Sequence, residues 1–210
     1  MDTGSHPAFR AHADEAADGL PAWSITTAEA RSADVPAPWP EPLTRDWAIG
    51  GATGDGVDVC IVDSGVDASH PAVGPVASAV AVVLDEDEEP VVVEDELGDV
   101  CGHGTACAAI VRSLAPACRI HSVRVLGAGM TGSAGLILTG LEHAISAGHR
   151  IVNLSLSTTK RRFVEDLHEL ADDACFRGSI VVASAHNSPV ESYPWRFSSV
   201  LSVGSHELDD

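Results

Sequence analysis

The residues best suited to chemistry are Asp63, His103 and Asn187, because Asp63 and Asn187 follow apolar runs and His103 stands where one starts. Asp63 ends the run 57–62, which is broken only by Asp58, and a carboxylate placed there is partly buried and needs a partner. His103 lies in Cys101-Gly102-His103-Gly104-Thr105, where the flanking glycines let neighbouring backbone come close. Asn187 follows the apolar run 179–185. An acid that orients an imidazole, an imidazole that shuttles a proton and an amide that donates to a developing oxyanion are parts of an acyl-transfer site. The missing part is the nucleophile.

Positioning these groups requires a βα alternation that begins at Val57. Residues 57–62, 119–126, 150–156, 179–185 and 200–203 read as five strands, and such alternation predicts a mainly parallel, doubly wound α/β sheet covered by helices on both faces. Residues 105–114 are small and apolar nearly all round, which predicts a helix buried in the middle of the molecule. Phe163, Leu167, Leu170 and Ala174 recur with helical spacing, so 163–176 reads as an amphipathic helix ended by Gly178. In an open parallel sheet, functional residues gather beyond the carboxyl ends of the strands, where Asp63, His103 and Asn187 are expected.

Asp63-Ser64-Gly65-Val66-Asp67 with His70-Pro71 resembles the aspartate motif of the subtilases, the subtilisin-like serine peptidases. His103-Gly104-Thr105 with Ala106 and Ala109, 40 residues on from Asp63, resembles their histidine motif. The resemblance continues through Arg124-Val125-Leu126, Gly132-Ser133, Asn153-Leu154-Ser155-Leu156, the run 181–185 with Asn187, Tyr193-Pro194 and the run 200–204, covering roughly residues 46–206. It implies a three-layer subtilisin-like fold, with Asp63 as the acid of a triad, His103 as general base then acid, and Asn187 as oxyanion donor. Ser155, Leu156 and Ser157 would line the cleft that holds an extended peptide by strand pairing. Where the family commonly has glycines, this chain has Ser157, Thr158 and His186, which narrow the backbone's access to substrate. The family's serine lies in a small-residue helix start, a context that none of Ser188, Ser192, Ser198, Ser199, Ser202 and Ser205 has, so the domain is expected to be incomplete at its C-terminal side.

Two functions follow from the resemblance. One is a serine endopeptidase domain whose serine comes from a complementing C-terminal segment, the isolated chain being inactive. The other is a pseudopeptidase that binds extended peptides or a protein partner. With the family's later helices missing, apolar surface on the 105–114 helix is expected to drive self-association or partner binding.

Twelve basic against 31 acidic side chains give a formal charge of −19, which repels nucleic acid and anionic membrane surfaces. Residues 1–45 are Pro-rich and acidic without an apolar period, and read as a flexible arm with Trp39 and Trp47 as anchors for docking, ahead of a domain over 46–210. Residues 1–20 lack the basic start and apolar stretch of a signal peptide, so a cytoplasmic protein is expected. Five cysteines, an odd count, argue against a disulfide framework. Gly50 to Gly56 precedes the first strand, whereas a dinucleotide fingerprint must follow one.

No cofactor is expected. The acidic stretch 85–96, around residues 91–93, reads as a solvated hairpin or loop; its carboxylates suit calcium, but their spacing matches no recognised loop. Zinc held by Cys101, His103 and Cys107 lacks a fourth ligand, so no metal site is expected. Cys101, two residues from His103, is expected to confer sensitivity to alkylating agents, not to act as a nucleophile.

Overall fold

The computed structural model describes residues 44–205, which belong to two units divided after Gly50. In the first, Thr44 caps the short helix α1 (Arg45–Ile49), its hydroxyl accepting from the Trp47 N–H at 3.1 Å. The arm expected over 1–45, with Trp39, lies almost wholly outside the described residues; Trp47 sits within α1.

The second unit is built on seven strands, β1 (Asp58–Asp63), β2 (Ser78–Leu84), β3 (Pro90–Glu94), β4 (Arg119–Arg124), β5 (Ile151–Leu154), β6 (Ile180–Ser184) and β7 (Val200–Val203), in the order β3-β2-β4-β1-β5-β6-β7. Every pairing is parallel except β2 with β3. Helices α2 (His103–Leu114), α3 (Ala134–Ser146) and α4 (Val164–Phe176) supply the outer layers.

The layering follows from the strand period of two. On β1, Val59 and Ile61 pack with Val66, Val73, Ala108 and Ile120 on the side of α2. Cys60 and Val62 point the other way, into a larger core with Leu141 and Ile145 of α3 and Leu167 and Ala171 of α4. Helix α3 starts where the Ser133 hydroxyl accepts from the Leu136 N–H at 3.3 Å. It lies close on the sheet because Gly140 has no side chain; a Cβ there would stand 2.4 Å from Val125 Cγ1. The apolar period read at 163–176 is that of α4 together with Phe163 of the 3₁₀ turn Arg161–Phe163 that leads into it, and Gly178 takes φ 80° just beyond the helix end.

Two expectations need correction. The sheet has seven strands, not five: 78–84 forms β2, and the triplet 91–93 lies in β3, so the acidic stretch is a hairpin on the sheet edge. The Asp85 carboxylate accepts from the N–H groups of Asp87 and Glu89, and so serves the turn itself. Helix α2 is buried on one side only, through Gly104, Thr105 and Ala108, while Ile110 is 62% exposed and Leu114 is exposed as well. Composition nearly apolar all round does not tell one face from the other; the sheet covers a single face.

Candidate active site

Asp63 closes β1 and is wholly buried. Its carboxylate accepts from the Ser64 N–H at 2.8 Å and meets His103 Nδ1 at 2.7 and 2.9 Å through its two oxygens. The carbonyl of Asp63 accepts from the N–H groups of Val125 and Leu126, fixing the strand end from behind. His103 opens α2 after Gly102, which takes φ 88°, a left-handed conformation that costs a side-chain-bearing residue energy. The imidazole is 37% exposed, and among the described residues Nε2 has no hydrogen-bond partner.

The two loops touch through backbone. A Cβ on Gly104 would stand 2.1 Å from the Gly65 carbonyl oxygen, and one on Gly65 would stand 2.2 Å from that of Gly98. Glycine at these positions is therefore what permits the Asp63 loop and the start of α2 to lie in contact.

Asp99, which the sequence reading passed over, ties these loops together. One carboxylate oxygen accepts from Ser64 Oγ at 2.8 Å and from the N–H groups of Cys101 and Gly102; the other accepts from Thr105 N–H and Oγ1. Ser64 Oγ in turn accepts from the Gly104 N–H, and Thr105 Oγ1 from the Asp67 N–H. Burial pushes the Asp99 pKa up, but the hydrogen bonds from Thr105, Cys101 and Gly102 outweigh it and bring it down to about 2. The sequence signal was a carboxylate four residues before His103 with Ser and Thr within reach, obscured by the many acidic residues nearby.

His103, Ser155, Leu156, Ser157 and Asn187 line one cavity of about 500 Å³, with Asp63 behind the imidazole. His186 lines it too, and Ser157 contributes to its wall. Thr158 exchanges both backbone hydrogen bonds with Tyr193 at 2.9 Å, so its peptide groups are engaged within the domain. Ser155, Ser157 and Ser184 reach the cavity, yet none is hydrogen-bonded to His103 among the described residues. No cysteine forms a disulfide. Cys60 is deeply buried, which pushes its pKa up to about 12, whereas Cys101 is exposed with its thiol 2.9 Å from Met130 Sδ. No helix among the described residues is long and apolar enough to cross a membrane.

The structure is a three-layer α/β sheet with a buried carboxylate on an imidazole at its strand ends, and the comparisons say which family has this framework. The subtilase family model matches residues 54–208, and the chain belongs to that family. It is 32% identical to Subtilisin Savinase of Lederbergia lenta over 171 residues, 76% of this chain and 59% of that protein. Thermitase of Thermoactinomyces vulgaris is 30% identical over 176 residues, 78% of this chain and 59% of that protein. Among solved structures, the crystal structure of a lanthipeptide protease aligns with a TM-score of 0.61 at 26% identity, covering 77% of this chain and 51% of that one. The chain thus spans between about half and three fifths of the length of these relatives.

Proposed function

We propose that this chain carries the acid, base and oxyanion groups of a serine endopeptidase that acts on extended peptides, with the nucleophilic serine furnished by a complementing C-terminal segment. The observation that carries this reading is the His103 ring, held at Nδ1 by the buried Asp63 carboxylate and lining the same cavity as Asn187. Asp63 fixes the tautomer, so Nε2 is the nitrogen left to take a proton from a hydroxyl and return it to the leaving amine. The Asn187 amide donates to the oxyanion as it develops. Ser155, Leu156 and Ser157 border the groove in which peptide pairs as an added strand. The apolar surface on Ile110 and Leu114 of α2 and on Leu201 and Val203 of β7 supports the complementing segment, since these side chains are exposed and uncovered by the described residues.

A second reading, a peptide-binding pseudopeptidase, is favoured by Ser157, Thr158 and His186 at positions where the family commonly has glycine. One experiment separates the two: the chain is mixed with a serine-bearing C-terminal segment of a subtilase and assayed on a fluorogenic peptide. Hydrolysis that depends on both parts is the expected result. Saturable peptide binding without hydrolysis selects the pseudopeptidase, and neither binding nor hydrolysis defeats both readings.

A further inference from the structure

In a chain with 31 acidic side chains, no carboxylate among the described residues lines the cavity that holds His103 and Asn187. Asp63 lies behind the imidazole, wholly buried and already bonded to His103 and the Ser64 N–H. One wall presents hydrogen-bond donors instead, and His186 stands among them. The Ser188 N–H donates to His186 Nδ1 at 3.0 Å, so the hydrogen of the neutral ring is on Nε2, which has no partner among the described residues. We propose that His186 selects peptides with an acidic side chain, Asp or Glu, at the residue whose carbonyl is attacked. This assignment rests on the peptide-cleft reading of the site.

Placement comes from the neighbours of His186. It directly precedes Asn187, the donor proposed for the oxyanion, and both follow β6. A substrate carbonyl oxygen received by Asn187 brings the side chain of its own residue to the wall formed by 184–187 and 155–157. On that wall Ser155 Oγ accepts from Asn153 Nδ2 at 2.8 Å and from Cys107 Sγ, which leaves its O–H free to donate. Ser157 and Ser184 add hydroxyls to the same wall. The apolar lining of Leu126, Met130 and Ile137 comes from another segment, the β4–α3 connection and the start of α3.

A carboxylate is the side chain these groups fit. It only accepts, it offers two oxygens to several donors, and charge-assisted hydrogen bonds are about twice as strong as neutral ones. A lysine or arginine side chain brings donors to a wall of donors that holds no carboxylate. A glutamine matches the shape but forms neutral bonds, and its amide N–H groups face donors. An apolar side chain leaves the Nε2 hydrogen of His186 without an acceptor. Hydrogen bonds to a charged group set the expected discrimination at roughly 10- to 100-fold. A glycine at 186, as the family commonly has, supplies no such donor.

Fluorogenic peptides that differ only in the residue before the scissile bond, Glu, Gln, Leu or Lys, are assayed on the serine-complemented protein. The Glu peptide is expected to show a kcat/KM roughly 10- to 100-fold above the Leu and Lys peptides, with Gln between. A peptide of equal net charge, with its Glu moved to the far end, should lose the advantage. His186→Gly should bring the Glu-to-Leu ratio near one, and His186→Gln, which keeps a donor, should retain part of it; circular dichroism verifies that each variant is folded. Similar rates for all four peptides, a Gln peptide as good as Glu, or a Glu preference that survives in folded His186→Gly overturns the proposal and leaves the peptidase reading standing. The same peptides are titrated into the 210-residue chain while the histidine side-chain signals are followed by ¹H–¹⁵N NMR. The Glu peptide should shift the His186 Nε2 signal and the Lys peptide should not. Saturable binding with that signal unmoved overturns the proposal alone; no binding of any peptide overturns the cleft reading and the proposal together.

Discussion

Strand β1 carries an aspartate at each end, and each aspartate meets a histidine, yet the two ends do different things. At the amino end, Asp58 accepts from Arg119 and from His121 Nε2 at 2.9 Å, while His121 Nδ1 is engaged by Ser78 Oγ at 2.7 Å. Both ring nitrogens are used, and hydrogen bonds from Arg119 and His121 hold the Asp58 pKa down at about 2. At the carboxyl end, Asp63 bonds to no Arg or Lys among the described residues, and its histidine keeps one nitrogen open on a cavity. The parallel register places Arg119 against Asp58 and Arg124 against Asp63, but Arg124 bonds to Asp95 instead. A carboxylate–imidazole pair thus becomes a candidate for chemistry when the imidazole is left half satisfied, not simply when the pair exists.

The largest test of this contrast is in turnover. In the serine-complemented protein, Asp63→Asn should lower kcat by roughly 10⁴-fold, because an amide in place of the carboxylate favours the wrong tautomer. Asp58→Asn should leave kcat in place. Comparable losses from both substitutions would erase the distinction between the two ends.

A smaller effect is expected in stability. Asp99→Ala strands the N–H groups of Cys101, Gly102 and Thr105, and should lower the unfolding free energy by about 2–3 kcal/mol in chemical denaturation. Asp58→Ala should cost about 1–2 kcal/mol, since it leaves the well-exposed Arg119 to water but takes a partner from the largely buried His121. The Nδ1 proton of His103, observed by NMR, should shift or broaden with Asp99→Ala and stay unmoved with Asp58→Ala.

A last effect concerns pH at the amino end. His149 is buried, with its ring 4.2 Å from that of His121; burial first, and then the neighbouring His121, bring its pKa down to about 4. The unfolded chain binds the proton with a pKa of about 6.5, so between about pH 6.5 and 4 it takes up more protons than the folded chain. Stability contributed by neutral His149 is therefore complete above that window and falls as pH drops through it. His149→Asn should flatten this dependence by up to about 1.4 kcal/mol per pH unit, measured by denaturation at pH 7, 5.5 and 4.

Much of this contrast was legible in the sequence at one end and not at the other. Asp63 announces itself by ending an apolar run, His103 by opening one between two glycines, and Asn187 by following the run of β6. The Asp58, His121 and His149 cluster joins residues far apart in sequence that share no motif, and only strand register brings them together. Strand β2 escaped because its parallel partner β4 lies beyond a hairpin and a helix, while its acidic turn reads as solvated chain. Asp99 escaped for an electrostatic reason: in a chain of charge −19, one more carboxylate carries no signal until its hydrogen bonds are seen.

The contact of Gly104 with the Gly65 carbonyl has a consequence for how this scaffold can be altered. The closest approach of the two loops is set by main-chain atoms, and the Asp99 carboxylate that ties them together is not among the residues that line the groove. Grafted substitutions around residues 127–132 or 155–158 can therefore retune what the groove accepts while the imidazole stays seated on its carboxylate. A methyl group on Gly104 acts as a wedge and spoils the seating whatever the groove has been redesigned to hold.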